Sequence, residues 1–254
     1  MYNIFGIIPK VLYQTWKTNN LTKDMIKIKN SWKENNPEFE FKFYDDRMCF
    51  EFIRDNFTKR ILEAYKKIKY GALKADLWRV CVLYINGGFF TDLDTLSLGS
   101  INDFINDKTE FITPIDLGGG PYLFNGFIGI IKEHPILKKC IDIIVNNVEK
   151  NINYEDNRNV AGPGVLGKAT NFYLKNNKNK PFELYGYYEL DNGNNIHFLE
   201  FSNPNEIIKD YKTKVPLFQN KNGNTKIQEA YIKQCHISKT KFNWTDGNPY
   251  KEYY

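Results

Sequence analysis

The side chains with the clearest chemical potential are two aspartates one residue apart, Asp92 and Asp94, at the end of a glycine-led apolar segment. In an extended chain, residues i and i+2 point to the same side about 7 Å apart. A slight bend would let both carboxylates reach one hard cation, such as Mg²⁺ or Mn²⁺. The pair therefore indicates a metal-assisted reaction on phosphate.

The segment before the pair gives it a context, which matters because about a quarter of all residues are charged and such pairs arise by chance about once per chain. Apolar residues at helical spacing predict a helix over 72–85, and Asn86-Gly87-Gly88 predicts its end. Asp76 and Arg79 share one face of this helix. They could form a simple ion pair, or the helix could direct both into the cleft of the aspartates, where Arg binds phosphate and Asp accepts hydrogen bonds from hydroxyls.

The elements that must position these residues follow from hydrophobic periodicity. Predicted strands cover 11–15, 40–44, 89–93, 107–113, 124–131, 196–201 and 215–218, and predicted helices cover 24–35, 49–56, 58–67, 72–85, 136–148 and 165–175. This alternation is typical of an α/β fold. Glycines 118–120 indicate either a mobile loop beside the cleft or an ordinary surface turn.

Length and charge restrict the class of protein. The 254 residues can bury a substantial core, and no internal repeat or linker divides them, so we expect one domain over 1–254. The net charge of +5 is modest and suits an anionic phosphate-containing substrate or a weak peripheral contact with an acidic membrane surface. No basic-aromatic module of a nucleic-acid reader is present, so we expect no nucleic acid partner.

Cysteine usage and hydropathy indicate a protein of a reducing compartment. The four cysteines, Cys49, Cys81, Cys140 and Cys235, lack the pair spacing of metal sites, and we expect them to be reduced and mostly buried. The sequence contains no run of 18 or more apolar residues that could cross a bilayer, and we expect no signal peptide. We therefore expect a cytoplasmic location without a transmembrane segment.

Residues 74–94 resemble the signature of glycosyltransferase family 32, the enzymes with an Asp-x-Asp sugar-binding region, and large clostridial glucosylating toxins show a similar pattern. Segments 8–16 and 36–41 resemble the first two strands of the family. More loosely, 125–129, 162–164, His236 and Trp244 resemble its later landmarks. The resemblance implies a GT-A-type fold, in which a Rossmann-like mixed β-sheet is flanked by helices.

The resemblance also implies roles for individual residues. Trp16 would stack on the base of a nucleotide-sugar donor, Asp76 and Arg79 would hold its sugar and diphosphate, and Asn125 would approach the sugar. Asp94 would ligate the metal directly, and Asp92 would bind ribose or support the metal. The full implied sets are Gln14, Trp16, Asp76, Arg79, Asp92, Asn125 and Trp244 for the donor, Asp92, Asp94 and His236 for Mn²⁺ or Mg²⁺, and Asp76, Arg79, Asp92 and Asp94 for catalysis.

The implied activity is transfer of a hexose from a nucleotide-diphosphate sugar, above all a UDP-sugar, to a hydroxyl of a glycan, lipid-linked or protein acceptor. Cleavage of the anomeric bond leaves negative charge on the diphosphate, which a divalent cation stabilises. The family transfers with retention of configuration. In that case no protein base is required, because the leaving phosphate can take the acceptor proton; an inverting enzyme would need a base such as Asp116.

Two other interpretations use the same residues. Asp92-Leu93-Asp94-Thr95 after an apolar strand also resembles the first motif of haloacid-dehalogenase-like phosphatases, in which Asp92 would be the nucleophile and Asp94 the acid and base. That motif normally opens the chain, and no paired acidic motif follows it here. A catalytically inactive carbohydrate-binding module is a third interpretation, but carboxylates clustered without a partner or metal would cost stability.

Overall fold

The computed structural model describes residues 6–117, 120–152, 156–239 and 250. Within these ranges the strands are β1 (Val11–Thr15), β2 (Glu40–Tyr44), β3 (Gly88–Thr91), β4 (Thr95–Ser97), β5 (Thr109–Pro114), β6 (Phe127–Ile130), β7 (Gly186–Glu189), β8 (Asn195–Ser202), β9 (Ile207–Lys209) and β10 (Pro216–Asn220). The α-helices are α1 (Lys23–Asn35), α2 (Asp46–Asn56), α3 (Lys59–Lys67), α4 (Gly71–Asn86), α5 (Pro135–Glu149), α6 (Pro163–Tyr173) and α7 (Thr225–Ser238).

The strands form one mixed sheet in the order β2-β1-β3-β6-β5-β8-β9-β10-β4, with β7 added beside β8. The strands β2, β1 and β3 are parallel, whereas β6 is antiparallel to both β3 and β5. Although β4 follows β3 in the chain, it pairs with β10 at the far end of the order. The sheet therefore curls until its β4 end comes close to the end of β3, since only a short turn joins these two strands.

The core lies on both faces of the sheet because strand side chains alternate between faces. Tyr13 and Phe90 pack into a cluster with apolar residues of α4, α5 and α6. Their neighbours Leu12 and Phe89 pack on the opposite face with Trp32 of α1 and with side chains of β8 to β10. The sheet is therefore a central layer covered by helices on one face and by α1 and its own curled part on the other.

Helix α4 is held in the middle of this arrangement. Its apolar residues, such as Leu73 and Leu77, are fully buried. Gly87, directly after the last residue of α4, has φ of 66°, and Gly88 follows with φ of 99°. These left-handed conformations favour glycine, and a Cβ atom on Gly88 would lie 2.7 Å from the Val11 carbonyl oxygen. The two glycines thus allow α4 to lead directly into β3.

The predicted α/β class is confirmed, and β1 and β2 have the predicted bounds. The predicted end of the third strand is wrong: β3 ends at Thr91 rather than Leu93, so Asp92 and Asp94 lie in a turn. The prediction also missed β4, β7, β9 and α7. The strands are short, and α7 is rich in Lys, Gln and Glu, so its periodicity is weak.

The cysteines and the hydropathy of the helices agree with the sequence. All four cysteines are free and buried, as predicted. In the described ranges, no helix combines the length and hydropathy needed to cross a membrane. Glycines 118 and 119 of the predicted loop lie outside the described residues.

Candidate active site

Several residues predicted to take part in the chemistry lie at the edge of the sheet where the parallel strands β1, β2 and β3 have their carboxyl ends. Trp16 follows β1, and Asp92 and Asp94 follow β3. In open α/β sheets, ligands bind outside the carboxyl ends of the strands. The position in the fold therefore agrees with a binding site.

The turn that carries the aspartates is tightly fixed. The Thr95 hydroxyl donates to the Asp92 carbonyl at 2.7 Å, and the Asp92 backbone N–H donates to the Gly126 carbonyl at 2.8 Å. A Cβ atom on Gly126 would lie 2.5 Å from Asp92 Oδ2, so only glycine allows this approach. The Asp92 side chain is 33% exposed and that of Asp94 is 8% exposed. The Asp92 carboxylate is therefore partly exposed to solvent, whereas the Asp94 carboxylate is mostly buried.

Arg79 joins α4 to this turn. Its Nη2 lies 3.2 Å from Asp76 Oδ1 and 3.1 Å from Asp92 Oδ1. Its Nη1 donates to the Asn125 carbonyl, and its guanidinium stacks 4.3 Å from the centre of the Phe90 ring. The predicted i,i+3 pair with Asp76 therefore exists, but it is part of a buried network that includes Asp92, as the cleft hypothesis required.

Asp76 retains unused hydrogen-bonding capacity. Asn125 Nδ2 donates to its Oδ1 at 2.8 Å, whereas Asp76 Oδ2 and Arg79 Nε have no partner among the described residues. A Cβ atom on Gly162 would lie 3.3 Å from Asp76 Oδ2. The Gly162-Pro163-Gly164 segment thus lies beside this oxygen.

Burial perturbs the carboxyl groups of the network. Burial and the neighbouring Asp92 raise the pKa of Asp76 from 3.8 to about 6, although Arg79 and Asn125 act in the opposite direction. Burial and repulsion by Asp94 likewise raise the pKa of Asp92, against the attraction of Arg79. Perturbed groups that share a cleft are typical of functional sites.

Lys221 completes the charge cluster, and sequence reasoning missed it. It follows β10, its Nζ forms an ion pair with Asp94 Oδ2, and it lies 4.2 Å from the centre of the Tyr231 ring. The chain contains 35 Lys and Arg residues, and no local signal distinguishes this one. Only the pairing of β10 with β4 brings it to the aspartates.

Trp16 is fixed at one side of the same edge. Its indole N–H donates to Ser238 Oγ at 2.9 Å, and its ring makes an edge contact with Tyr231 at 5.7 Å between centroids. Both partners belong to α7. The side chain is half-buried, so part of it stays accessible to a ligand. Helix α7 therefore connects the predicted base-stacking residue with Lys221.

The remaining predicted residues differ in their placement. Gln14 lies on β1 with 3% exposure, and its Nε2 has no partner in the described part of the chain. His236 lies on the exposed side of α7, and no group of three His, Cys, Asp or Glu side chains suited to a metal occurs within the described ranges. The structure therefore does not bring His236 into a cluster with Asp92 and Asp94. Trp244 lies outside the described residues.

The aspartate pair nevertheless fits a hard divalent cation. Carboxylate oxygens are the ligands that Mg²⁺ and Mn²⁺ prefer, and substrate phosphates and water commonly complete their shells. The Lys221 ammonium group already provides a positive charge at Asp94, with which it forms an ion pair. The three carboxylates Asp76, Asp92 and Asp94 exceed the two cations Arg79 and Lys221 by one charge. With all three carboxylates ionised, these five side chains carry a net charge of −1, which favours a bound cation.

Comparison with known proteins agrees with this geometry. Residues 22–112 match the model of the glycosyltransferase sugar-binding region containing a DXD motif. The chain is 29% identical to an uncharacterised glycosyltransferase of Acanthamoeba polyphaga mimivirus, over 70% of each chain. It is 29% identical to an initiation-specific alpha-1,6-mannosyltransferase of Candida albicans over 39% of this chain, and 27% identical to inositol phosphoceramide mannosyltransferase 3 of Schizosaccharomyces pombe over 55%.

The matched regions span 28% and 38% of those two fungal enzymes, respectively. Among solved structures, the PaToxG glycosyltransferase has the same fold, with a TM-score of 0.55 and 20% identity over 66% of this chain and 70% of that one. These matches are to glycosyltransferases rather than to phosphatases. Residues 22–112 therefore match a glycosyltransferase sugar-binding region that contains a DXD motif, and the chain has a GT-A-type fold.

Proposed function

We propose that this protein is a metal-dependent, retaining glycosyltransferase that moves a hexose from a nucleotide-diphosphate sugar to a hydroxyl group. The observation that carries the proposal is the buried Asp76–Arg79 pair with two polar atoms that lack a partner in the described part of the chain. A buried polar atom without a hydrogen bond costs about 1–3 kcal/mol. A sugar hydroxyl on Asp76 Oδ2 and a phosphate oxygen on Arg79 Nε would remove both costs.

The aspartate turn supplies the proposed cation site. Asp94 and Asp92 would hold Mn²⁺ or Mg²⁺, which when bound supplies a Lewis acid for the charge of the leaving diphosphate. Arg79 contributes a fixed positive charge at the same edge, because its contacts with Asp92 and with the Asn125 carbonyl hold the guanidinium in place. Hydrogen-bond donors and charges that are held rigidly in a buried site stabilise the charge that develops in a reaction better than water does.

Retention of configuration is proposed because it requires no protein base. The leaving phosphate would take the proton of the acceptor hydroxyl, so the roles left to side chains are binding and orientation. Asp116, half-buried on the loop after β5, is the alternative base if the product is inverted. Product stereochemistry measured by NMR distinguishes the two mechanisms.

The relatives suggest the classes of donor and acceptor. Two are named mannosyltransferases, and one of these names inositol phosphoceramide. We therefore propose mannose as the transferred hexose and a glycan or an inositol-phosphate lipid headgroup as the acceptor. The Trp16 ring can stack on uracil or on guanine. A GDP-sugar is therefore an alternative to the UDP-sugar expected from the sequence.

The proposal is tested by thermal unfolding with UDP-mannose, UDP-glucose and GDP-mannose, each with and without Mn²⁺, followed by turnover assays on the donor that binds. Ligand binding to the native state raises the melting temperature, and at a fixed ligand concentration the rise increases with the logarithm of the affinity. We expect one donor to stabilise the protein only when Mn²⁺ is present, and to be hydrolysed slowly when water is the sole acceptor. Hydrolysis of simple phosphomonoesters without donor turnover would instead favour the phosphatase alternative.

A further inference from the structure

Lys221 is positioned at the aspartate turn by the backbone. In the antiparallel pairing of β10 with β4, the last residue of β10, Asn220, lies opposite the first residue of β4, Thr95. Lys221, directly after β10, therefore lies close to Asp94, directly before β4. The Lys221 side chain is 27% exposed, and that of Asp94 is 8% exposed. A Tyr231 ring 4.2 Å from Nζ covers the ammonium group. The ion pair is therefore built into the sheet rather than formed by a loose surface lysine.

We propose that Lys221 is an internal counter-cation that occupies Asp94 when no divalent cation is bound and competes with that cation for the carboxylate. Lys221 would thereby set the cation affinity of the site. The inference rests on the proposed use of a divalent cation at Asp92 and Asp94.

The physical reason is electrostatic. Asp92 and Asp94 repel each other, and Asp92 is already paired with Arg79. Without Lys221, Asp94 would be a largely buried carboxylate with no cationic partner among the described residues, which is costly. The same oxygen, Asp94 Oδ2, carries the ammonium group, so a metal ion that binds there must displace it. Lysine suits this exchange because it is a point charge on a flexible stem, whereas arginine binds carboxylates in a fixed fork.

The chain contains a matched control at the other end of β10. Lys214 Nζ lies 2.7 Å from Glu200 Oε2 and 4.3 Å from the centre of the Tyr211 ring. It therefore has the same kinds of partner as Lys221, a carboxylate and a tyrosine ring. It lies before β10 rather than after it, away from the aspartate turn.

The test is a Mn²⁺ titration of the donor-free protein, with free Mn²⁺ measured by electron paramagnetic resonance, for the wild type, Lys221→Met and Lys214→Met. An ion pair of about 1 kcal/mol corresponds to about a fivefold change in Kd. We expect Lys221→Met to bind Mn²⁺ at least fivefold more tightly and Lys214→Met to bind as the wild type does. Equal or weaker binding by Lys221→Met, a similar gain in Lys214→Met, or no Mn²⁺ binding by any of the three would overturn the proposal.

A second measurement uses the wild-type chain and does not depend on the variant folding. Acetylation of each lysine is followed by mass spectrometry with and without Mn²⁺. If the cation displaces the ammonium group from Asp94, labelling of Lys221 accelerates while that of Lys214 does not; unchanged labelling of Lys221 counts against displacement. Donor turnover by the wild type is assayed separately, so turnover with equal Mn²⁺ affinities rejects the lysine proposal alone, whereas absent turnover rejects the proposed function.

Discussion

Replacing Asp76 by asparagine should stabilise the protein while it abolishes activity. The Asp76 side chain is 3% exposed, and burial raises its pKa from 3.8 to about 6. At 1.36 kcal/mol per pH unit, this difference corresponds to about 3 kcal/mol by which the ionised carboxylate destabilises the native state at pH 7. Asparagine has nearly the same shape and no charge, and its Oδ1 can still accept from Asn125.

The pH dependence follows from the sign of the shift. Because the pKa is higher in the folded than in the unfolded chain, the native state binds more protons between about pH 4 and pH 6, and the contribution of Asp76 to stability falls as the pH rises through this window. The gain from Asp76→Asn should therefore be small at pH 4 and reach about 2–3 kcal/mol at pH 7, or about 5–10 °C in Tm for a chain of this size.

The assay is urea unfolding at several pH values in the presence of a chelator, together with donor turnover at pH 7. We expect kcat/KM to fall at least about 100-fold, because the variant lacks the carboxylate proposed to bind the donor sugar. The exposed Asp191, replaced by asparagine, is the control and should change stability by less than about 0.5 kcal/mol. An Asp76→Asn variant that is less stable than the wild type at pH 7, or equally stabilised at pH 4 and pH 7, would refute the reasoning.

Three further predictions concern neighbouring groups. Asp94→Ala should abolish Mn²⁺-dependent donor turnover with the fold intact by circular dichroism, and Asp92→Ala should retain more activity; the reverse order would favour a nucleophilic role for Asp92. Gly162→Ala places a Cβ atom 3.3 Å from Asp76 Oδ2 and should raise the donor KM with little change in urea midpoint, whereas an unchanged KM would place the sugar elsewhere. Glu110→Ala should lower the free energy of unfolding by about 3 kcal/mol without changing donor KM, because it removes a fully buried carboxylate that accepts hydrogen bonds from Tyr173 and Asn194 near the start of β5, at the opposite end of the strand from the aspartate turn.

The environment of the Glu110 carboxyl group indicates how its contribution to stability changes in acid. Burial would raise the pKa of Glu110, but hydrogen bonds from His134, Asn194 and Tyr173 lower it overall. A carboxyl group with a lowered pKa stabilises the fold above its ordinary range and loses that contribution as the pH falls. The stability difference between the wild type and Glu110→Ala should therefore shrink on acidification, as should that for Asp76→Asn, but at pH 7 the two differences have opposite signs, because Glu110→Ala is less stable than the wild type and Asp76→Asn is more stable.

The sequence was sufficient to bring together four residues of the proposed donor site, because these residues are close in the chain. Asp76 and Arg79 occupy one helix face, and the glycines after α4 place Asp92 and Asp94 within one short connection. Helical periodicity and glycine conformation depend on neighbouring residues, so they can be inferred without the fold. The family resemblance covered the same short stretch and added the roles.

Tertiary structure decided the partners that come from distant parts of the chain. Lys221 reaches Asp94 only because β10 pairs with β4, and α7 reaches Trp16 only because it packs on α1. Pairing of strands more than one hundred residues apart leaves no periodic signal in either segment. The sequence by itself thus determined that Asp92 and Asp94 form a carboxylate pair at a strand end. Only the folded sheet decided that the two carboxylates have different ion-pair partners, Arg79 for Asp92 and Lys221 for Asp94.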